Sequence, residues 1–165
     1  MRRKTRPLLA LIGILVVAGG VSLFKKTLLI EMTNLDRPVT VRIRIDPSEP
    51  VFIFHINSIY DQPVTETLEA GAHGFVLRGV ETPSPAVMEY YGFEAAGGVQ
   101  PVRRELGNSL ILKKGPRRDQ GVLLAGRRVL LSEIAEEGDR IRLEVKHLPL
   151  GLYWWNVLTR PISRP

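Results

Sequence analysis

The sequence contains no cysteine, so disulfide bonds and thiolate chemistry are excluded and packing must hold the fold together. Its three histidines, His55, His73 and His147, stand far apart and match no metal-ligand spacing. The chain also lacks a phosphate-binding glycine loop and a dinucleotide fingerprint. We therefore expect neither a metal nor a cofactor.

Charge is missing from the seventeen residues Leu8–Phe24. Basic residues flank this apolar run on both sides: Arg2, Arg3, Lys4, Arg6, Lys25 and Lys26. An uncharged run of this length is stable in a bilayer core as a helix, and the larger number of bases before it favours a cytoplasmic N-terminus. We predict a single-pass transmembrane helix within residues 1–26, which places an extracytoplasmic domain, residues 27–165, at the cytoplasmic membrane.

The same run is compatible with a cleaved secretory signal, because Ala18 and Gly20 have the spacing of a cleavage site. Val21, Leu23 and Phe24 continue the apolar run past that site, which favours a retained anchor. Both alternatives export the domain.

The domain itself has no excess of either positive or negative charge. The chain has a net charge of +6, but residues 27–165 carry 17 basic and 17 acidic side chains. This balance argues against nucleic acid as a partner. Residues 46–94 hold eight acids and one base, whereas residues 103–128 hold eight bases and two acids. The two halves either neutralise each other, or the bases form a face toward an anionic lipid or an acidic partner.

Strict alternation between apolar and polar residues at Val39–Ile45 and Arg140–His147 predicts half-buried strands. Two prolines break the first strand after Ile45, and the chain resumes in a hairpin or a strand corner. Further short strands are predicted at Leu28–Thr33, Val51–Ile56, Val64–Ala70, Phe75–Glu81, Ser109–Lys113, Val122–Leu124, Arg127–Leu131 and Tyr153–Leu158. One helical turn is predicted at Ser132–Glu137. About eight or nine short strands predict a mainly β fold, an antiparallel sandwich or a partly open barrel, after the transmembrane helix.

The stretch from Thr82 to Gly98 is predicted to be an irregular loop, because glycine and proline interrupt it. It nevertheless contains several large side chains, which in a loop are either packed over the core or kept for contact with another molecule. Together with the Asn57–Glu66 segment it supplies the candidate ligand-binding or partner-binding residues, which are Asn57, Ser58, Glu66, Glu89, Tyr90 and Tyr91.

Catalytic arrangements find little support in the sequence. His55, Ser58 and Asp61 lie too close together on one extended segment to converge as a hydrolase triad, and no nucleophile elbow is present. Glu66 and Glu89 are either a carboxylate pair for acid and base catalysis or separate surface acids. We expect no catalytic residue.

The segments Phe54–Leu68 and Ser84–Gly92 resemble the family described as domain of unknown function 1850. The family signature is similar to a His-Ser-Val segment, then Pro-Val-Glu-Glu, then a segment with glycine. Members are small exported bacterial and archaeal proteins, often encoded beside, or fused to, the membrane subunit of TAXI-type tripartite periplasmic transporters. The resemblance therefore implies an exported domain with a transport-accessory role.

The residues that carry this resemblance are Ser58, on the serine of the signature, Pro63 and Val64, on its Pro-Val, and Glu66, on its second glutamate. Asn57 stands where the family usually has histidine, and Thr65 stands where it has the first glutamate.

We therefore expect a membrane-anchored, non-enzymatic accessory or binding module that engages a transporter membrane subunit or a small ligand. One alternative is a structural subunit whose anchor helix packs within a membrane complex. The other is a hydrolase that uses Ser58 with Glu66 or His55.

Overall fold

A computed structural model of the chain describes residues 23–94 and 98–159, together with Gly13, Ile14, Val17, Gly19 and Gly20. The chain divides into two compact units. Residues 28–146 form one unit, and residues 1–27 with residues 147–164 form the other.

Ten strands arrange into a four-stranded sheet, in the order β2-β1-β10-β7, and a six-stranded sheet, in the order β6-β5-β4-β3-β8-β9. The strands are β1 (Lys26–Asn34), β2 (Thr40–Ile45), β3 (Pro50–Asn57), β4 (Gln62–Gly71), β5 (Gly74–Thr82), β6 (Gly98–Gly107), β7 (Ser109–Lys113), β8 (Gly121–Leu124), β9 (Arg127–Leu130) and β10 (Arg140–Pro149). Helix α1 (Pro85–Tyr90) lies between β5 and β6, a 3₁₀ turn (Leu131–Glu133) follows β9, and helix α2 (Leu150–Thr159) follows β10.

The two sheets share one hydrophobic core, to which Ile30, Ile43 and Ile141 contribute from the four-stranded sheet and Val51 and Leu68 from the six-stranded sheet. The observed pairs within both sheets are antiparallel, as in β1 with β2 and β3 with β4. The predicted mainly β fold is therefore confirmed, and the arrangement is consistent with the sandwich alternative.

The connection between β2 and β3 is a strand corner, because β2 belongs to the four-stranded sheet and β3 to the six-stranded sheet. The Glu49 N–H donates to the Asp46 carbonyl at 2.9 Å in the turn between them. Alternation persists up to the corner: Ile43 and Ile45 are buried, whereas Arg42 and Arg44 are exposed.

A buried carboxylate holds the four-stranded sheet on its outer side. Glu31 is 5% exposed and lies between the Arg42 Nε and the Lys146 Nζ, each 2.5 Å from a carboxylate oxygen. Burial alone would raise the pKa of Glu31, but the hydrogen bonds from Lys146 and Arg42 outweigh it and lower that pKa. These contacts connect β1 to β2 and β10.

Polar contacts also fix the end of β1 against the start of β10. The Asn34 Nδ2 donates to the Asp139 carboxylate at 2.9 Å and to the Ile134 carbonyl at 3.0 Å. The Leu35 N–H donates to the Arg140 carbonyl at 2.8 Å. The two strands are thus joined although 105 residues separate Asn34 from Asp139.

The predicted transmembrane helix Leu8–Phe24 is corrected by the structure. No helix in the part of the chain that the structure describes is both long enough and apolar enough to cross a bilayer. Most of this run lies outside the described residues, as do the flanking bases Arg2, Arg3, Lys4 and Arg6, and Lys26 is the first residue of β1. Seventeen residues form about 26 Å of helix, whereas a hydrocarbon core is about 30 Å thick. The predicted single-pass localisation at the cytoplasmic membrane depended on this helix and is corrected with it.

The predicted last strand, Tyr153–Leu158, is wrong, because this segment belongs to α2. It is a nearly continuous apolar run, and periodicity cannot distinguish a buried strand from a buried helix in such a run. The Leu150 N–H donates to the Lys25 carbonyl at 2.8 Å. A Cβ on Gly151 would lie only 3.2 Å from the Leu23 Cδ2, so the start of α2 packs closely on Leu23.

The sequence analysis missed β6, which contains Pro101. Proline cannot donate to a strand ladder and is therefore found mainly at sheet edges. β6 is an edge strand of the six-stranded sheet, which accommodates this proline.

We predict that Gly121→Ala destabilises the fold by about 1–3 kcal/mol, because the new Cβ would lie 2.5 Å from the Val129 carbonyl oxygen and 2.6 Å from the Phe54 Cζ. Urea denaturation measures the change in the free energy of unfolding. Gly71→Ala is the matched control, since nothing lies within 4 Å of a Cβ at that position. Equal losses in the two variants would contradict the close approach at Gly121.

Candidate functional site

The candidate binding residues predicted from the sequence lie near one end of the six-stranded sheet. β3 and β4 pair as far as Asn57 with Gln62, so the turn between them lies at this end. β5 runs antiparallel to β4 and ends at Thr82, and α1 therefore begins at the same end.

The predicted irregular loop is wrong at α1. The Ser84 hydroxyl accepts a hydrogen bond from the Val87 N–H at 3.3 Å, and Pro85 occupies the first turn of the helix. Gly92 follows the helix with a φ of +84°. A serine N-cap, an early proline and a glycine after the last turn are the ordinary signals for the start and end of a helix. α1 contacts β5 and buries Val87 and Met88.

Glu66 faces the core rather than the surface. It lies in a row of directly opposed residues that crosses all six strands, which we call the inner row: Gln100, Val80, Glu66, Ile53, Val122 and Val129. The four apolar members of the inner row are buried core residues. A carboxylate in this position needs a hydrogen-bond donor, since an unpaired buried charge is costly.

The donor is Tyr91, the first residue after α1. Its hydroxyl donates to the Glu66 Oε1 at 2.7 Å. Burial and then this hydrogen bond raise the pKa of Tyr91, so the phenol keeps its proton. The Tyr91 ring also packs against the core and meets the Tyr90 ring edge-on, with centroids 5.9 Å apart. The structure therefore brings together two of the predicted site residues, Glu66 and Tyr91.

His55 is a member of this polar cluster that the sequence analysis had dismissed. It lies on the inner side of β3, directly opposite the buried Val64 and two residues along the strand from Ile53, the partner of Glu66. Burial lowers the pKa of His55, and the negative charge of Glu66 opposes that shift. The imidazole is therefore neutral at neutral pH.

Asn57 shapes the turn between β3 and β4. It is 8% exposed, and its Oδ1 accepts hydrogen bonds from the Ile59 N–H at 3.0 Å and the Tyr60 N–H at 3.1 Å. Ser58 is exposed in the same turn. Within the described residues its hydroxyl makes no hydrogen bond to His55 or Glu66, so the structure gives Ser58 no general base.

The remaining predicted residues, Glu89 and Tyr90, are on the surface of α1. Tyr90 is 66% exposed, and Glu89 is exposed with no ion pair within the residues described here. Glu66 is half-buried and bound to Tyr91, so Glu66 and Glu89 have different surroundings. The carboxylate-pair alternative gains no support from this arrangement.

A cavity of about 370 Å³ opens at the same end of the sheet, and the sequence analysis missed it. Its lining residues are Pro63, Thr65, Glu81, Thr82 and Pro83. Thr65 and Glu81 are directly opposed on β4 and β5, on the face opposite to Glu66. Only the pairing of these two strands reveals the cavity, because its residues lie in two separate segments of the sequence.

The bases of residues 103–128 do not form one face of the six-stranded sheet. Arg103 and Arg104 belong to β6 and Arg127 and Arg128 to β9, which are the two opposite edge strands. Five strand spacings of about 4.8 Å separate these edges, a distance of about 24 Å. Arg117 instead forms an ion pair with Asp61 of the acidic half.

Within the described ranges no group of three or more potential metal ligands is close enough to hold an ion. Comparisons of the chain with protein-family models, with curated proteins and with solved structures found no match. The resemblance to the domain of unknown function 1850 family therefore stays a prediction, and the functional argument depends on the site itself.

We predict that Tyr91→Phe lowers the free energy of unfolding by about 1.5–3 kcal/mol, because it removes a hydrogen bond to a carboxylate and leaves Glu66 without that donor. Chemical denaturation gives the value. Tyr90→Phe, at an exposed neighbouring position, should change it by less than about 0.5 kcal/mol. If both variants lose the same amount, the Tyr91 hydroxyl has no special role.

We predict that the stability of the chain falls as the pH drops below 6.5, the ordinary pKa of histidine, and that His55→Gln flattens this fall. The folded-state pKa of His55 is lowered, so the unfolded chain binds more protons in this window and stability rises with pH. The slope is limited to about 1.4 kcal/mol per pH unit for one proton.

Denaturation at a series of pH values between 5 and 7 tests this expectation. His73→Gln is the control, because His73 is exposed. A slope that disappears in His73→Gln and remains in His55→Gln would assign the effect to the wrong histidine.

Proposed function

We propose that this chain is a non-enzymatic binding module, and that the end of the six-stranded sheet that carries α1 is its binding surface. The observation that carries the proposal is the hydrogen bond from Tyr91 to Glu66. It fixes α1 over the end of the sheet while Tyr90, the neighbouring residue, stays exposed.

Exposed apolar side chains at this end support the proposal. Ile59 is 67% exposed in the turn between β3 and β4, Tyr60 is exposed next to it, and Tyr90 is exposed on α1. Large aromatic and aliphatic side chains are the usual anchors of protein interfaces, since each removes much apolar surface from water on binding. A rigid turn and a fixed helix present these side chains with little loss of conformational entropy.

The kind of partner follows from the same surface and from the resemblance. The family resemblance makes a transporter subunit the first partner to test, with a small ligand as the second. The hydrolase alternative, which uses Ser58, has no supporting contact in the described residues. The structural-subunit alternative depended on the helix Leu8–Phe24.

A photo-crosslinking amino acid placed at Tyr90 of the full chain, in its native host, tests the proposal. We expect a defined crosslinked species from this position. The matched control is Ile111 on the edge strand β7, which is apolar and 54% exposed but lies in the other sheet. A crosslink that forms equally from both positions, or none from Tyr90, would overturn the proposed surface.

A further inference from the structure

The cavity lined by Pro63, Thr65, Glu81, Thr82 and Pro83 has the size of a ligand site. Its volume of about 370 Å³ lies within the ordinary range of about 300–1,000 Å³ for such sites. It lies where β4 begins and β5 ends, beside the start of α1.

Of the described lining residues, only Glu81 is charged, and it is exposed. Within the described part of the chain its carboxylate makes no ion pair or hydrogen bond. Two nearby acids do have a basic partner: Glu69 pairs with Arg78 at 2.5 Å, and Asp61 pairs with Arg117. The cavity therefore has one negative charge that no described residue compensates.

The other walls of the cavity are apolar or neutral. The rings of Pro63 and Pro83 provide apolar surface and no N–H donor, and the Thr82 Oγ1 already accepts from the Ser84 N–H at 3.4 Å. Thr65 lies directly opposite Glu81, which places its hydroxyl-bearing side chain about 5 Å from that of Glu81. None of the described lining residues is basic, so the cavity does not suit an anion.

The neighbouring part of the same face is already covered by a cation. Thr65 is directly opposed to Phe54, and the Arg128 guanidinium lies 4.6 Å from the centre of the Phe54 ring. On the other side, Glu81 is opposed to Val99, which is exposed. The open section of this face therefore combines a free carboxylate with apolar side chains.

We propose that the cavity binds a guanidinium group on an aliphatic stem, with Glu81 as its anionic partner and the two prolines packed along the stem. A carboxylate accepts two parallel hydrogen bonds from a planar guanidinium, which favours this group over an ammonium. The proposal rests on the proposed binding function and names the chemistry of what is bound. The guanidinium belongs either to an arginine of a partner segment or to a small free guanidine.

Titration of the isotope-labelled full chain with N-acetyl-arginine methylamide tests this proposal by NMR. We expect chemical-shift changes confined to residues 63–65 and 81–84, with a dissociation constant of about 1 mM or weaker. The citrulline analogue has the same shape without the charge and should bind at least fivefold more weakly. An equal response to both compounds, or no response at these residues, would overturn the proposal.

A substitution assigns the binding to Glu81. Glu81→Gln keeps the size of the side chain and removes its charge, and should weaken binding of the arginine derivative at least tenfold. The control is Glu105→Gln, at an exposed acid on β6 outside the cavity. Unchanged affinity in Glu81→Gln, or an equal loss in both variants, would remove Glu81 from the site.

Binding of an arginine-containing peptide distinguishes an arginine of a partner segment from a small free guanidine as the source of the guanidinium. Affinity at least tenfold above that of the blocked amino acid assigns the site to a partner segment, and equal affinity assigns it to a small guanidine. The two proposals also fail separately. A crosslink at Tyr90 without arginine binding would reject only the cavity chemistry, and arginine binding without a crosslink would reject only the Tyr90 surface.

Discussion

A carboxylate within the inner row of the six-stranded sheet requires a hydrogen-bond donor, and the position of α1 follows from that requirement. Glu66 has Val80 and Ile53 directly beside it, so the sheet itself offers apolar neighbours. The Tyr91 hydroxyl comes from outside the sheet, at the end of α1. The contact acts together with the burial of Val87 and Met88 in holding this helix of six residues.

Thr65 and Glu66 place functional side chains on both faces of the sheet. They are consecutive on β4, so their side chains point to opposite sides. Thr65 lines the cavity, and Glu66 binds Tyr91. A change that displaces β4 at this point therefore alters both the cavity and the hydrogen bond that holds α1.

Alternation predicted β2 and β10 correctly, because each of these strands has one face in the core and one outside it. The same alternation also predicts which way Glu66 and His55 point. Glu66 is in phase with Val64 and Leu68, and His55 is in phase with Val51 and Ile53, so both side chains were readable as core-facing. Ser84 and Pro85 were likewise a readable helix start.

Other features could not be read from the sequence. Pairing across the sheet determines which residues of β4 and β5 share a cavity, and no local pattern encodes that pairing. The apolar run of α2 shows no alternation, so periodicity does not identify it as a helix. The proline of β6 argues against a strand, but an edge strand can accommodate it.

The order of strands in the four-stranded sheet has a consequence for how the chain is made. β1 lies between β2 and β10, so one edge of β1 has no partner until β10 has left the ribosome. The β3–β4–β5 meander, by contrast, forms from neighbouring segments. Nascent chains therefore carry an apolar strand with an open edge for most of their synthesis, and such an edge favours aggregation until β10 covers it.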